Sequence, residues 1–353
     1  MQNEHTIKNI LIIFLFVLIF YLLKELSYLL IPLALAFLLA LLMQPPTRFL
    51  LKRKTPKWLI LPIITIITLV IFFSLVIIIV RTTSEILDQQ KFLFTKFDEK
   101  VRGLVYWIND LTGMRLKVNI VYSEITKFLN LDSVSKAAGV IATNIGSFMG
   151  SFVTFALYYI FLLSGITGLD DYLKYVFEKR NLDSINENYK KIQNLVFHYI
   201  VVKTLINVAT AVIVTIVLLL FGVKFAYFWG LLTFVLNYIP TFGSIISVLL
   251  PVLMGFIQFD AIQLVITLLI ILMIIHFTIG NFIEPMILSN QLTLNTVTVL
   301  FGLVFWAYIW GVTGMILSVP LMVIIKLILN EIPSLSLISR IMGYPTQELV
   351  RQQ

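Results

Sequence analysis

Apolar runs alternate with short charged or glycine- and proline-bearing breaks along the whole chain. Ile7 to Leu23 and Leu26 to Met43 each approach the length that crosses about 30 Å of hydrocarbon, with Lys24 and Glu25 as the turn between them. Trp58 to Val80 is a third crossing, and such continuous apolar runs argue against a transmembrane barrel, whose strands alternate in polarity. The pattern then changes. Phe94, Phe97, Val101, Leu104, Ile108 and Leu111 recur at spacings of three and four, which predicts a helix with one apolar stripe, closed by Gly113. This stripe belongs to an amphipathic helical hairpin that covers other helices, lies among headgroups or packs on a neighbouring subunit. A fourth span ends near Leu163, and Ala142, Gly146 and Gly150, four apart, permit close helix approach. The mixed charges between Thr167 and Lys203 suit a solvated helix, with His198 and Lys203 snorkelling to the interface.

The second half carries two interrupted blocks. After Leu205 to Phe221 and a turn at Gly222-Val223-Lys224, the run from Phe228 to Phe256 is broken by Asn237-Tyr238-Ile239-Pro240-Thr241-Phe242-Gly243. Pro240 removes a donor and clashes with the preceding turn, and Gly243 tolerates dihedrals that other residues avoid, so one helix becomes two. Backbone freed at membrane depth must be buried in protein or line a wet cavity, which marks this break as a candidate transport path. Ala261 to Ile279 is an uninterrupted span, followed by Gly280-Asn281-Phe282-Ile283-Glu284-Pro285. The last block, Val297 to Leu329, is about 33 residues long and holds Gly302, Gly311, Gly314 and Pro320. It crosses once with strong tilt or folds back near Trp310 to Gly314. Breaks on both sides of one intact span suggest a shared polar site.

The resulting fold class is an all-α polytopic helical membrane protein with about eight apolar spans, two of them interrupted, and an external amphipathic helical insert. The expected division is spans 1–3 over 1–80, the insert over 81–145, span 4 over 146–166, a cytoplasmic linker over 167–203, the motif-bearing region over 204–330 and a tail over 331–353. Composition agrees: 59% hydrophobic against 12% charged residues and a mean hydropathy of +0.99 are outside the range of a soluble domain. Residues Ile10 to Leu23 lack a following small-residue cleavage site, so they read as a retained first span rather than a signal peptide. The net charge of +8 is spread over short loops beside spans, a pattern of membrane orientation and not of nucleic-acid binding. The loop bearing Arg48, Lys52, Arg53, Lys54 and Lys57 has no acid, which places it, and with it both termini, in the cytoplasm.

Without cysteine there is no disulfide, thiolate metal site or cysteine nucleophile, and three histidines make a multi-His metal site improbable. No phosphate-binding glycine loop, His-Glu-x-x-His or Gly-x-Ser-x-Gly occurs, so neither catalysis nor a cofactor is expected. What remains is a set of polar residues at membrane depth. Glu284 leads it, placed to meet a cation, a proton or a polar ligand at a helix break, or alternatively to cap a helix at the interface. Asp260 reads as an N-cap, His276 as an interhelical hydrogen-bonding group, and Asn207 and Asn237 as partners for broken or neighbouring backbone.

Asn237-Tyr238-Ile239-Pro240-x-x-Gly243, Asn281-x-x-Glu284-Pro285, and Gly311-x-x-Gly314 with Ser318-Val319-Pro320-Leu321 before Lys326 resemble the AI-2E family of bacterial membrane proteins, the autoinducer-2 exporter superfamily. The early Gln44-Pro45-Pro46 turn and the helical insert fit the same plan, so the resemblance covers nearly the whole chain. It implies a multi-span permease of the bacterial cytoplasmic membrane, without ATPase machinery and assembled as a homo-oligomer. Export of autoinducer-2 and sodium-proton antiport are both linked to the family. Asn295-Thr296 stands where many relatives carry His-Pro, so no proton-handling histidine is carried over there. Candidate path residues are Asn237, Pro240, Thr241, Gly243, Asn281, Glu284, Pro285, Gly311, Gly314 and Pro320. Three readings stay open: export of a small polar molecule, cation-proton antiport through Glu284, and a non-transporting scaffold whose insert binds partners. The scarcity of buried acids favours export over antiport, and the two broken segments count against the scaffold.

Overall fold

The computed structural model describes residues 2–113, 150–165, 182–288, 294–332 and 334–343. Among the described residues all regular structure is helical, as expected where each apolar segment must satisfy its own backbone. Five stretches there are long and apolar enough to cross a membrane: 27–52, 58–88, 197–220, 262–288 and 296–330. Helices α1 (Gln2–Glu25) and α2 (Ser27–Leu42) join at Leu26, just past the predicted turn. Short α3 (Gln44–Lys52) starts on Pro45 and Pro46, residues suited to a first helical turn. Then α4 (Lys57–Asp88) runs past the predicted end at Val80.

The stripe sequence forms α5 (Gln90–Thr112), which stops at Gly113 in the left-handed conformation, φ 67°. Its buried face is Phe97, Val101 and Val105, whereas Leu104 of the predicted stripe is exposed. The second limb of the predicted hairpin, with Ala142 and Gly146, lies outside the described residues. Gly150 belongs to α6 (Gly150–Gly165), and no described residue comes within 4 Å of the place of its missing Cβ. Helix α7 (Leu182–Leu220), 39 residues long, takes in the end of the predicted linker and the next span as one rod.

Both interrupted blocks fold as hairpins. Helices α8 (Ala226–Leu236) and α9 (Phe242–Gln258) are the limbs of the first. Its open end is pinned by Gln258, whose amide donates to the Gly222 carbonyl (2.7 Å) and accepts from the Lys224 N–H (2.8 Å). Phe242 N–H closes back on the Pro240 carbonyl at 2.6 Å with Thr241 between them at φ 61°, ψ −57°. That is the rare and strained γ-turn, costing on the order of 1–3 kcal/mol at a β-branched residue. Gly243 is required next to it, since a Cβ there would stand 1.8 Å from the Leu236 carbonyl oxygen. The turn lies beside Thr204, whose hydroxyl meets that of Tyr238 at 2.6 Å. Thr204 precedes the end of α7 at Leu220 by about 24 Å of helix, so the hairpin penetrates most of a roughly 30 Å core.

Helix α10 (Ile262–Thr278) follows, then a π-helical turn (Ile279–Ile283) and short α11 (Glu284–Leu288). In α12 (Thr296–Glu331) Gly311 adopts φ 61°, ψ −142°, accessible essentially to glycine alone. Gly302 packs against Met322, which a straight helix would hold about 30 Å away, so the block folds back at Gly311 and does not cross once with tilt. Gly314 fits against the Trp306 carbonyl. Asn295 caps α12 by accepting from Thr298 N–H and ties it to the end of α13 (Ser336–Ile341), donating to the Ile341 carbonyl at 2.6 Å.

The two hairpins point in opposite directions along α7. The tip of the second meets the α1–α2 turn, where Trp310 Nε1 donates to the Leu23 carbonyl (2.9 Å) and Lys24 sits 4.5 Å above the Tyr308 ring. Its base buries Leu294, Val323 and Met342 against Leu41, Tyr199 and Ile200. The first hairpin packs on α7 and α10 through Val214, Leu218, Val248, Met254, Leu268 and Leu272. Ala36, Ala40, Ile64, Phe155 and Tyr159 join α2, α4 and α6 in a third cluster.

Helix α5 straps the open end of the first hairpin. Phe97 meets Phe256 edge-on, and Lys100 donates to the Phe259 carbonyl (2.9 Å) and the Asp260 carboxylate (2.7 Å). Asp260 therefore serves this strap; Ala261 is the N-cap of α10, contrary to the expectation for Asp260. The hydrogen bond from Lys100, then its charge, holds the Asp260 carboxyl below the ordinary value of 3.8. A depressed folded value gives a contribution present above the unfolded value and lost as pH falls through the folded one. The melting-temperature difference between wild type and Asp260→Asn should thus be constant above about pH 5 and shrink steadily as the solution is acidified below that. A difference that grows on acidification would contradict the pairing.

Candidate functional site

At the tip of the first hairpin, α7, α10, the π turn and the base of the second hairpin enclose a cavity of about 740 Å³. Tyr199, Lys203, Asn207 and Thr210 reach it from one face of α7, as spacings of three and four dictate. The turn contributes Asn237 to Thr241, α10 contributes Met273 and His276, and the segment after it contributes Gly280, Asn281 and Glu284. Leu294, Val299, Val319 and Val323 form the apolar wall from the second hairpin. The π turn around Gly280 is a local widening of the helix, a feature frequent at functional sites.

One ion pair borders the cavity. Lys203 Nζ donates to Glu284 Oε1 at 2.5 Å, with the two side chains 10% and 27% exposed. Lys203 is therefore buried and paired, and does not snorkel to the interface as its position beside a polar segment suggests. Exposed His198 is free of that correction. A second link crosses nearby: Thr204 donates to the Ile200 carbonyl (2.6 Å), so in the Thr204–Tyr238 contact the phenol is the donor. This bond latches the hairpin tip to α7.

Among the described residues, three buried polar atoms around the cavity have no hydrogen-bond partner: Asn207 Nδ2, Asn237 Oδ1 and His276 Nε2. His276 Nδ1 lies 3.0 Å from the Leu272 carbonyl of its own helix, so the proton of a neutral ring sits there and Nε2 is an acceptor. Among the described residues His276 makes no interhelical bond, in place of the one expected. Leaving a buried donor or acceptor unmade costs about 1–3 kcal/mol, so one donor and two acceptors on residues that line the cavity are groups a polar guest could satisfy once their side chains turn toward it.

Of the predicted path residues, Asn237, Pro240, Thr241, Asn281 and Glu284 converge on this cavity. Asn281 is exposed and donates to the Phe277 carbonyl at 3.0 Å. Gly243 shapes the hairpin from behind, and exposed Pro285 lies outside the lining. Gly311, Gly314 and Pro320 belong to the second hairpin and do not line the cavity. The two breaks thus form no common polar site; the tip of one hairpin meets the base of the other, because they enter from opposite ends. Sequence reasoning missed Lys203, Tyr199, Thr210 and the capping role of Asn295. The signal for Lys203 was present: a lone cation at the head of an apolar span and a lone acid beyond the next intact one tend to pair.

The latch should matter less than the ion pair. Tyr238→Phe removes one neutral hydrogen bond, worth about 0.5–1.5 kcal/mol, and should change the flux of reconstituted protein by less than roughly tenfold. A complete loss of flux would give the phenol a direct part in transport.

A family model described as AI-2E family transporter matches residues 9–334. The chain is 25% identical over 301 residues to the AI-2 transport protein TqsA of Escherichia coli (strain K12), covering 85% of each chain. It is 26% identical over 320 residues to a putative transport protein of Haemophilus influenzae, 89% of each chain. A putative transport protein of Borreliella burgdorferi is 29% identical over 314 residues, 88% of this chain and 84% of that one.

Proposed function

We propose, on the premise that the chain belongs to the AI-2E family of transporters, that it exports a small, polar, uncharged organic molecule such as autoinducer-2 across the bacterial cytoplasmic membrane. The observation that carries this reading is the set of atoms without a partner among the described residues, Asn207 Nδ2, Asn237 Oδ1 and His276 Nε2, around the cavity at the hairpin tip. A hydroxyl-bearing guest supplies both donors and acceptors and fits them without a fixed charge. Leu294, Val299, Val319 and Val323 of the second hairpin give the carbon skeleton of such a guest an apolar surface to lie against.

Cation-proton antiport needs a carboxylate free to exchange a proton for a cation. Glu284 instead carries Lys203 as its counter-charge, so a sodium ion would have to displace a tethered ammonium. The relative named an AI-2 transport protein supports the choice of solute. In this reading both termini and the Lys52–Lys54 loop face the cytoplasm, the first hairpin enters from outside, the second from inside, and the protein works as a homo-oligomer.

Liposomes containing the purified protein and loaded with labelled autoinducer-2 test the proposal, run beside a sodium and a pH gradient with wild type and Glu284→Gln. Saturable autoinducer-2 flux without a requirement for sodium is expected. Loss of cation-coupled proton flux alone in the variant would support antiport instead. Absence of flux for every solute in both directions would overturn the transport reading.

A further inference from the structure

A second cavity, of about 230 Å³, lies apart from the first between α3, the start of α4 and the end of α6. Thr47, Leu51, Trp58, Leu61, Leu163 and Ser164 line it. The Thr47 hydroxyl is spent on the Met43 carbonyl at 2.6 Å, so that wall is effectively apolar. The turn beside it is strongly basic. Arg48, Lys52, Arg53 and Lys54 are all exposed, and no acid occurs in the sequence between Glu25 and Glu85. Among the described residues Arg48 reaches Gln44 (3.4 Å) and the Phe197 ring, and Arg53 stacks 4.5 Å over Phe49. Among the described residues, none of these four cations has a carboxylate partner.

Membrane orientation by positive charge accounts for cations at this point in the sequence. It does not account for a cavity next to them, nor for the exposed rings of Phe49 and Trp58, which are suited to the headgroup level. Helix α3 is too short to span and carries both the aromatic ring and the charges, as interfacial helices do. Lys54 is fixed at φ 59°, with its N–H on the Leu51 carbonyl (3.0 Å), so the basic turn has one defined shape directly after a cavity-lining residue. Cations with no counter-charge among the described residues, a mostly apolar slot and flanking aromatic rings complement one bilayer component, a lipid with a negative headgroup.

We propose that this is a binding site for an anionic phospholipid, its phosphate held by Lys52, Arg53 and Lys54 and the upper part of one acyl chain seated in the cavity beside Trp58. The site is independent of the transport cavity and of which leaflet the loop faces.

Trp58 is the reporter, and Trp58→Phe identifies its share of the fluorescence. The full-length protein is reconstituted in phosphatidylcholine vesicles containing a small fraction of brominated lipid, either phosphatidylglycerol or phosphatidylcholine. Brominated phosphatidylglycerol should quench Trp58 more strongly at equal fraction, a preference that falls roughly tenfold in the Lys52→Gln, Arg53→Gln, Lys54→Gln triple variant. Leu163→Phe with Trp58 retained enlarges the side chain in the slot, adds no second indole and leaves the charges untouched. It should weaken the preference too, which guards against a triple variant that inserts wrongly. Inorganic phosphate at matched ionic strength should leave the preference unchanged. Equal quenching by both lipids, a preference indifferent to both variants, or its abolition by phosphate would overturn the proposal.

Discussion

Glu284→Leu is expected to lower stability by about 2 kcal/mol and to abolish most transport, because it leaves Lys203 charged beside the cavity with no carboxylate. The lysine is the more buried partner, with a side chain only 10% exposed, so loss of the acid is the harsher of the two single changes. Fully buried pairs lose about 3–5 kcal/mol when one member is removed; the partial hydration of Glu284 brings the figure to the lower value. That is a factor of roughly 30 in the folding equilibrium. Adding Lys203→Met removes the stranded charge, and the double variant should recover most of the melting temperature, since an apolar pair of similar volume often replaces an ion pair without loss. Thermal unfolding of the two single variants and the double one gives the coupling directly. A double variant no more stable than Glu284→Leu would show that the two charges do not act as a pair.

The second large effect is at the hairpin tip. Gly243→Ala places a Cβ 1.8 Å from the Leu236 carbonyl oxygen and 2.6 Å from its carbon, backbone atoms that cannot turn aside as a side chain can. The limbs of the hairpin must spread, at a cost of roughly 3 kcal/mol or more. Spreading also moves Asn237 and Tyr238, so the variant should lose solute flux together with melting temperature. Gly103→Ala is the control: no described residue comes within 4 Å of where its Cβ would stand on α5, and the change should be neutral or slightly stabilising. A Gly243→Ala protein with the melting temperature and flux of wild type would contradict the packing described at the tip.

Much of this architecture was legible in the residues. Apolar runs and the three-four stripe gave the helices, and Gly113 marked the end of α5 where it falls. Pro240 and Gly243 located the first break. Whether a broken block crosses or returns was not legible, because both outcomes leave the same hydropathy; the choice depends on contacts such as Gln258 to Gly222 and Gly302 to Met322. The pairing of Lys203 with Glu284 spans 81 positions and needs the tertiary arrangement, although the rarity of charges at membrane depth pointed toward it. Asp260 satisfied a local capping rule and was claimed by a distant lysine instead. Local propensity is a weak prior when a tertiary charge is available.

The central claim is that solute passes through the cavity at the first hairpin tip. Ser244 lines that cavity, is half-buried and is none of the atoms assigned to the solute; its hydroxyl rests on the Thr241 carbonyl at 2.9 Å. The chain has no cysteine, so Ser244→Cys introduces one unique thiol. Solute flux through liposomes containing this variant, measured before and after reaction with a small methanethiosulfonate reagent, is the decisive measurement. The account predicts that modification blocks flux and that solute slows the modification; complete modification with undiminished flux would contradict it.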